Sequence, residues 1–467
     1  MGAIDAINDF LWSYVLIAVL LGGGLYFTLR TRCVQLRMLP DMLRALAASG
    51  SRHGKGIAGR SVSSFQAFAI SLASRVGTGN IAGVAIAIAL GGPGAVFWMW
   101  VVAVLGSANA FVESTLAQLF KVRGEHSFRG GPAYYISMGL GNRPWAVLFA
   151  VLITLTFAIA FNSVQCNTMA LALERSFDIP PVWTGVVTAA LTLAVICGGV
   201  RRIAVVNQIV VPLMAGLYIL LACYVVATRA HMFPHVMRLI LDNAFGIGPA
   251  VGGGMGIAVV MGVKRGLFSN EAGEGSTPNA AATADVSHPV KQGLVQTLGV
   301  YVDTLLVCTA TAFIILCSGV FDCGLTGIEL TQSALETEVG SAAALFVAVA
   351  VVLFAFTSII ANYYYGETNL AFIRNDRRLI PVLRCATALM VLTGAVLPLN
   401  LVWALADITM ALMTLCNMLA ILLLGRYALR CLDDYTRQRR EGRDPVYRAS
   451  TCPDISDHTP CWPEAQD

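Results

Sequence analysis

The sequence predicts an all-α polytopic membrane protein: eleven transmembrane helices, arranged as one leading helix and two inverted sets of five. Three observations carry this reading. Of 467 residues, 57% are hydrophobic and 12% charged, with a mean hydropathy of +0.72; soluble proteins carry about 25% charged residues. Apolar runs recur from residue 12 to residue 425, and a bilayer core of about 30 Å needs about 20 apolar residues per helix. Two of these runs, five apart in order, are interrupted by glycines. A soluble enzyme or a nucleic-acid binder could not wet its surface with this balance, and disorder is confined to the ends.

The runs place spans at 12–30, 65–91, 94–120, 144–173, 183–200, 204–228, 247–266, 292–318, 341–372, 380–397 and 402–425. The transmembrane domain is therefore 1–425, with repeats at about 65–228 and 247–425, followed by a polar tail over 426–467. The start, with Asp5 and Asp9, does not read as a signal peptide. The twelve cysteines are scattered without metal-ligand spacing and read as reduced thiols in helices. His231 and His235 flank Pro234 in a short loop and make a poor metal site.

Orientation follows from the basic residues. One side collects 26 of the 31 Lys and Arg, including Arg52, Lys55 and Arg60 in the first loop, Lys264 and Arg265 bordering the loop after span 7, and Arg377 after span 9. The opposite loops hold Arg175, Arg229 and Arg238. By the positive-inside rule the N-terminus is outside and the tail is cytoplasmic, in a multi-pass protein of the plasma (inner) membrane. The loop at 319–340 agrees, with four acidic residues and no Lys or Arg.

Span 2 carries Gly77, Thr78, Gly79 and Asn80 near its centre, and span 7 carries Gly252, Gly253, Gly254 and Gly256. Helix-breaking sequence at membrane depth is tolerated where it is buried or lines a cavity. Five is odd, so spans 2 and 7 cross in opposite directions. Two discontinuous helices opening two inverted sets is the pattern of a secondary transporter with a midplane site. The competing reading makes these glycines helix-packing positions; it suits Gly22–Gly24 better than the paired breaks.

The segments VGTGNIAGVA (76–85), GGPGAVFWMW (91–100), GVKRGLFSNEAGEGS (262–276), PNAAA (278–282), VDTLLVCTAT (302–311) and FTSIIANYYYGE (356–367) together resemble the alanine or glycine:cation symporter family. The resemblance covers spans 1 to 11. It implies a LeuT-type five-plus-five inverted repeat with one extra helix in front, importing small neutral amino acids with sodium and using no cofactor.

The resemblance also implies site residues. A sodium ion would take hydroxyls of Thr357 and Ser358 and carbonyls of Ala73, Val76 and Phe354, an oxygen set suited to a hard cation. In a generic membrane helix the two hydroxyls would instead bond their own preceding carbonyls. A zwitterionic substrate needs N–H donors for its carboxylate and carbonyls for its ammonium. The half-helix beginning near Thr78, Gly79 and Asn80 offers the donors, and the opening at Gly254, Met255 and Gly256 the carbonyls. Asn162 and Gln165, three apart on span 4, share a face and are too polar to meet lipid. The resemblance assigns Gln165 to the pocket; Asn162 reads as a pocket residue or as interhelical glue. At Asn362 many family members carry Trp, a departure that bears on pocket size. The resemblance assigns Ser358 to both sites.

Arg75, two residues before Gly77, is a charge at mid-membrane and should be paired or wet. It is expected to act as structure or gate, paired with Glu113 first and Asp303 second. Glu113 alternatively couples protons. Asp303 and Asp407 read as interhelical hydrogen-bonders, and Glu271 and Glu274 as part of a loop after span 7, with 269–271 capping a helix. The reading is a sodium-coupled importer of alanine or glycine. Its rivals are a proton-coupled transporter of the same substrates and, with less to support it, a channel; no cluster of nucleophile, base or metal ligands suggests an enzyme.

Overall fold

The computed structural model describes residues 2–51, 62–124, 127–246, 254–376 and 378–462. Gly252 and Gly253 lie outside the described residues, as do Arg52, Lys55, Arg60 and Arg377. The chain is almost wholly helical. Its main elements are α1 (Ala6–Arg30), α2 (Ser64–Arg75), α3 (Gly79–Gly91), α4 (Ala95–Leu119), α5 (Arg143–Phe177), α6 (Pro181–Ile196), α7 (Arg202–Thr228), α8 (Gly254–Asn270), α9 (Thr277–Ala281), α10 (Pro289–Ser318), α11 (Gly327–Val339), α12 (Leu345–Ile373), α13 (Leu379–Val396) and α14 (Leu399–Arg440). Among the described residues, eight helices are long and apolar enough to cross a membrane, and α2 with α3 forms a ninth, bent by 46°. The shorter helices α6 and α8 occupy the fifth and seventh places in the order read from hydropathy.

Local sequence explains where α2 starts and stops. Ser63 and Gln66 form a reciprocal capping box, with Gln66 N–H donating to Ser63 Oγ at 3.1 Å and Ser63 N–H to Gln66 Oε1 at 3.0 Å. The helix ends at Val76, whose ψ of 83° is not helical. The chain resumes at Gly79 as a π-helical turn over Gly79–Gly83. Similar wide turns occur at Thr156–Phe161 in α5 and Tyr301–Cys308 in α10. π-Turns inside α-helices concentrate at functional sites, and these three carry or adjoin Asn80, Asn162 and Asp303.

The bundle is assembled from α4 packed on α10 and α8, α5 on α12 and α13, α6 on α13, and α7 on α2. The acidic loop at 319–340 contains α11, which packs over the start of α3; Thr331 Oγ1 donates to the Ile81 carbonyl at 3.1 Å.

Two expectations are corrected here. Lys264 and Arg265, expected at the edge of a cytoplasmic loop, lie a turn inside a helix. They sit in α8, nearly buried, paired with Asp407 of α14 at 2.8 Å and 2.6 Å. A hydropathy window ends a span at charges, but ions that neutralise one another can remain in the helix. The tail also differs from a solvated extension. Helix α14 continues past residue 425 to Arg440, and the chain then folds back. Tyr447 N–H donates to the Ser287 carbonyl at 2.8 Å, and the Trp462 indole N–H to the Gln118 carbonyl at 3.0 Å. Tyr447, Cys452, Ile455 and Trp462 are buried, so this short apolar set docks a segment whose average composition is polar.

Candidate functional site

The first helix break leaves backbone donors that must find partners, since an unmet amide in a dry interior costs a few kcal/mol. Gly77 N–H reaches Asn80 Oδ1 at 2.9 Å, and Thr78 N–H reaches Gln165 Oε1 on α5 at 3.1 Å. The Thr78 hydroxyl is wholly buried with no hydrogen-bond partner among the described residues. Glycine at 77 is required by space: a Cβ there would lie 2.5 Å from Ser358 Oγ and 3.0 Å from Gln165 Oε1. A Cβ at Gly79 would come within 2.9 Å of the Phe268 ring.

The oxygens of α2 and α12 converge beside this break. Ser358 Oγ lies 2.7 Å from the Ala73 carbonyl and 3.0 Å from the Phe354 carbonyl. Thr357 Oγ1 lies 3.0 Å from the same Phe354 carbonyl and 2.9 Å from that of Leu353. Four of the five residues named as sodium ligands are thus brought together, and Val76 stands at the adjoining helix end. The hydroxyls also make the backbone contacts of an ordinary membrane helix, and the contact from Ser358 to Ala73 is what crosses between helices.

Among the described residues the second break does not fall at Gly254 or Gly256. Helix α8 begins at Gly254, and Met255 is half exposed. A Cβ added at Gly254 or Gly256 would meet nothing within 4 Å among the described residues. The structure therefore does not bring Gly254, Met255 or Gly256 to the first break. The chain instead unwinds over 271–276, between α8 and α9. Glu271, Gly273 and Gly275 have φ of 55°, 93° and 90°, the left-handed region that glycine occupies freely and glutamate does not. Here Glu271 and Glu274 are fully buried, not in a solvated loop. Glu271 accepts from Ser74 and Ser276, each at 2.5 Å.

Each charge then finds its place. Glu113 accepts from Gly273 N–H at 3.1 Å and Asn417 Nδ2 at 2.8 Å, so it holds the second break. Asp303 accepts from Asn80 Nδ2 at 2.6 Å and from Ser269 and Thr304 hydroxyls at 2.8 Å, tying the first break to α8 and α10. With both acids engaged, the expected pairing of Arg75 does not form: no carboxylate lies within ion-pairing distance of it among the described residues. Its guanidinium donates to the Gln296 carbonyl at 2.9 Å and Thr277 Oγ1 at 3.1 Å. Gly299 makes the room, because a Cβ there would collide with Nη1.

Between the breaks lies a polar floor: Ser74 Oγ lies 2.8 Å from Asn362 Oδ1, and Asn362 Nδ2 donates to Asn162 Oδ1 at 3.1 Å. Beside it, the rings of Phe161, Phe268 and Trp403 pack in series, each pair tilted with centroids 4.6 Å apart, and Arg265 lies over Trp403 at 4.4 Å. Ser74, Phe268, Glu271 and Trp403 were missed from sequence. The segment 262–276 stood out as a motif, but its charges had displaced it to a loop.

Two broken helices crossing at a buried polar centre define a LeuT-fold transporter. The solved structure of MhsT in complex with L-phenylalanine shares this fold, with a TM-score of 0.56 at 14% identity over 86% of this chain and 92% of that one. The chain belongs to the sodium:alanine symporter family, which it matches over residues 1–449. It is 51% identical to the probable sodium/glutamine symporter GlnT of Bacillus subtilis, covering 98% of this chain and 95% of GlnT. It is also 51% identical to the amino-acid carrier protein AlsT of the same organism (96% and 95% covered). The sodium/alanine symporter AgcS of Methanococcus maripaludis is 36% identical, with 90% and 94% covered.

Proposed function

We propose that the chain is a sodium-coupled importer of a small neutral amino acid, alanine or glycine, working by alternating access. Eleven spans, with inverted repeats at about 65–228 and 247–425, place its two breaks face to face. The observation that carries the reading is Ser358 bridging the Ala73 and Phe354 carbonyls, one residue row from the donors at Gly77 and Thr78. Sodium takes those oxygens with Thr357 and Val76 and orders the broken helix. The substrate carboxylate then replaces Gln165 Oε1 at Thr78 N–H. Its ammonium meets acceptors at the second break, near Ser269 and Glu271. One sodium moving inward down 100 mV yields about 2.3 kcal/mol, roughly a fiftyfold accumulation before the sodium gradient adds its share. The basic loops and tail then face the cytoplasm, and the N-terminus lies outside, in the plasma (inner) membrane.

A second reading keeps the mechanism and enlarges the substrate. The floor of Asn162, Asn362 and Ser74 offers amides and a hydroxyl to a polar side chain, and one relative is named a glutamine symporter. The test is uptake of labelled alanine into proteoliposomes at fixed pH, with sodium or with choline outside, in competition with glycine and glutamine. Loss of uptake in choline is expected. Equal uptake in choline refutes sodium coupling, and stronger competition by glutamine than by glycine selects the second reading.

A further inference from the structure

Four acidic side chains lie buried at the two breaks, and their hydrogen-bond supply is uneven. Glu113 takes two donors, Glu271 two and Asp303 three. Glu274 is fully buried, and neither of its oxygens has a partner among the described residues. The Ser276 hydroxyl neighbours it, but that hydroxyl has one hydrogen and gives it to Glu271. An ionised carboxylate offers about four acceptor positions and is tolerated in a dry interior only when donors or cations fill them. Arg75, the cation facing this group, spends its Nη atoms on Gln296 and Thr277.

A second observation concerns Asn109 of α4. It is wholly buried against Gly273, where a Cβ would lie 3.2 Å from Asn109 Nδ2, and both its amide atoms are without partners among the described residues. Buried unpaired polar groups of this kind are where internal water binds. The segment 271–276 thus carries an unserved carboxyl and, one residue away, an unserved amide that can pass a water.

We propose that Glu274 is a proton-carrying site of the transporter. This rests on the symporter reading and adds a second coupled ion. A hydronium ion on the sodium-loading face gives its proton to a Glu274 carboxylate oxygen and leaves as water. The neutral acid permits the site to close around 271–276, and the O–H bond breaks again to water on the opposite face. The charged and titratable groups around it are Arg75 from α2, Glu113 from α4 and Glu271 on the same turn. Beyond them stand Asp303 from α10, Tyr135 beside Glu113 and Tyr365 beside Glu271. The three other acids keep their donors throughout, so the change of protonation falls on Glu274.

The experiment uses the full chain, wild type and Glu274→Gln, in two measurements. Infrared spectra of the purified protein at neutral pH should show the carbonyl stretch of a protonated carboxylic acid. That band should be absent in Glu274→Gln and retained in Glu113→Gln and Asp303→Asn. In proteoliposomes with equal sodium on both sides, acid outside should drive alanine accumulation by the wild type. Glu274→Gln, a permanent mimic of the neutral acid, should lose that drive while still accumulating alanine on a sodium gradient. A protonated-acid band that survives in Glu274→Gln, or proton-driven accumulation within twofold of wild type in that variant, overturns the assignment. Failure of the wild type to use a sodium gradient would instead overturn the symporter reading, and the infrared result would stand apart from it.

Discussion

Gly77→Ala isolates the central claim about the site, because one methyl group would reach both proposed ligands at once. The added Cβ would lie 2.5 Å from Ser358 Oγ, and 3.0 Å and 3.1 Å from the two terminal atoms of Gln165. Gly77 does not have a positive φ, so alanine meets no backbone penalty and the effect is steric. Ser358 cannot swing away freely, since its hydroxyl bridges carbonyls on two helices at 2.7 Å and 3.0 Å. Overpacking of a close-packed interior costs about 1–3 kcal/mol. At 1.4 kcal/mol per tenfold, that is roughly a 5- to 150-fold loss in apparent affinity. The assay is the half-saturating sodium concentration and the alanine KM in proteoliposomes, with Gly256→Ala as control because, among the described residues, nothing lies within 4 Å of its Cβ position. We expect both parameters to rise in Gly77→Ala and neither in Gly256→Ala. A well-inserted Gly77→Ala with unchanged sodium dependence would mean that the convergence of α2 and α12 is packing and not a cation site.

Asp407→Asn should lower thermal stability sharply, since it leaves Arg265 and Lys264 buried without their counter-charge; losing one member of a buried pair typically costs about 3–5 kcal/mol, and an unchanged melting temperature in detergent would show the cluster to be hydrated. Trp462→Ala should undock the tail, seen as new protease cuts within 441–462 while the helices stay intact, because the indole both donates to Gln118 and covers the Lys121 ammonium at 4.7 Å. Burial pushes Lys121 down to about 8 from its ordinary 10.5. The docked tail therefore binds fewer protons than the free one, and protection from protease should strengthen as pH rises from about 8 toward 10.5; protection that weakens over that range would refute the burial of Lys121 under the tail.

Hydropathy was enough to read a mostly helical chain with many apolar spans, because in a bilayer every span must be apolar and internally hydrogen-bonded along its length. The break at Gly77 was legible too: Gly-Thr-Gly-Asn in an apolar run has no comfortable helical reading. Thr357 and Ser358 were reachable through the motif around them. The second break was not. Gly254 and Gly256 attracted the assignment because glycine is the visible helix breaker, whereas among the described residues the chain unwinds at Glu271–Ser276. Nothing local to that segment tells a solvated acidic loop from a buried one; the difference is made by Glu113, Asn417 and Ser74 arriving from three other helices with the donors and acceptors it needs. The same holds for charge. Sequence placed Arg75 at mid-membrane and required it to be satisfied, but whether a carboxylate or a carbonyl satisfies it depends on Gly299 leaving room and on Asp303 and Glu113 being already engaged. Lys264 and Arg265 read as the edge of a loop until Asp407, 142 positions on from Arg265, supplies the counter-charge. One-dimensional pattern determines which segments can enter the membrane, since that depends on each segment's own transfer energy. The pairing of buried polar groups depends on distances between segments, and only the tertiary structure decides those.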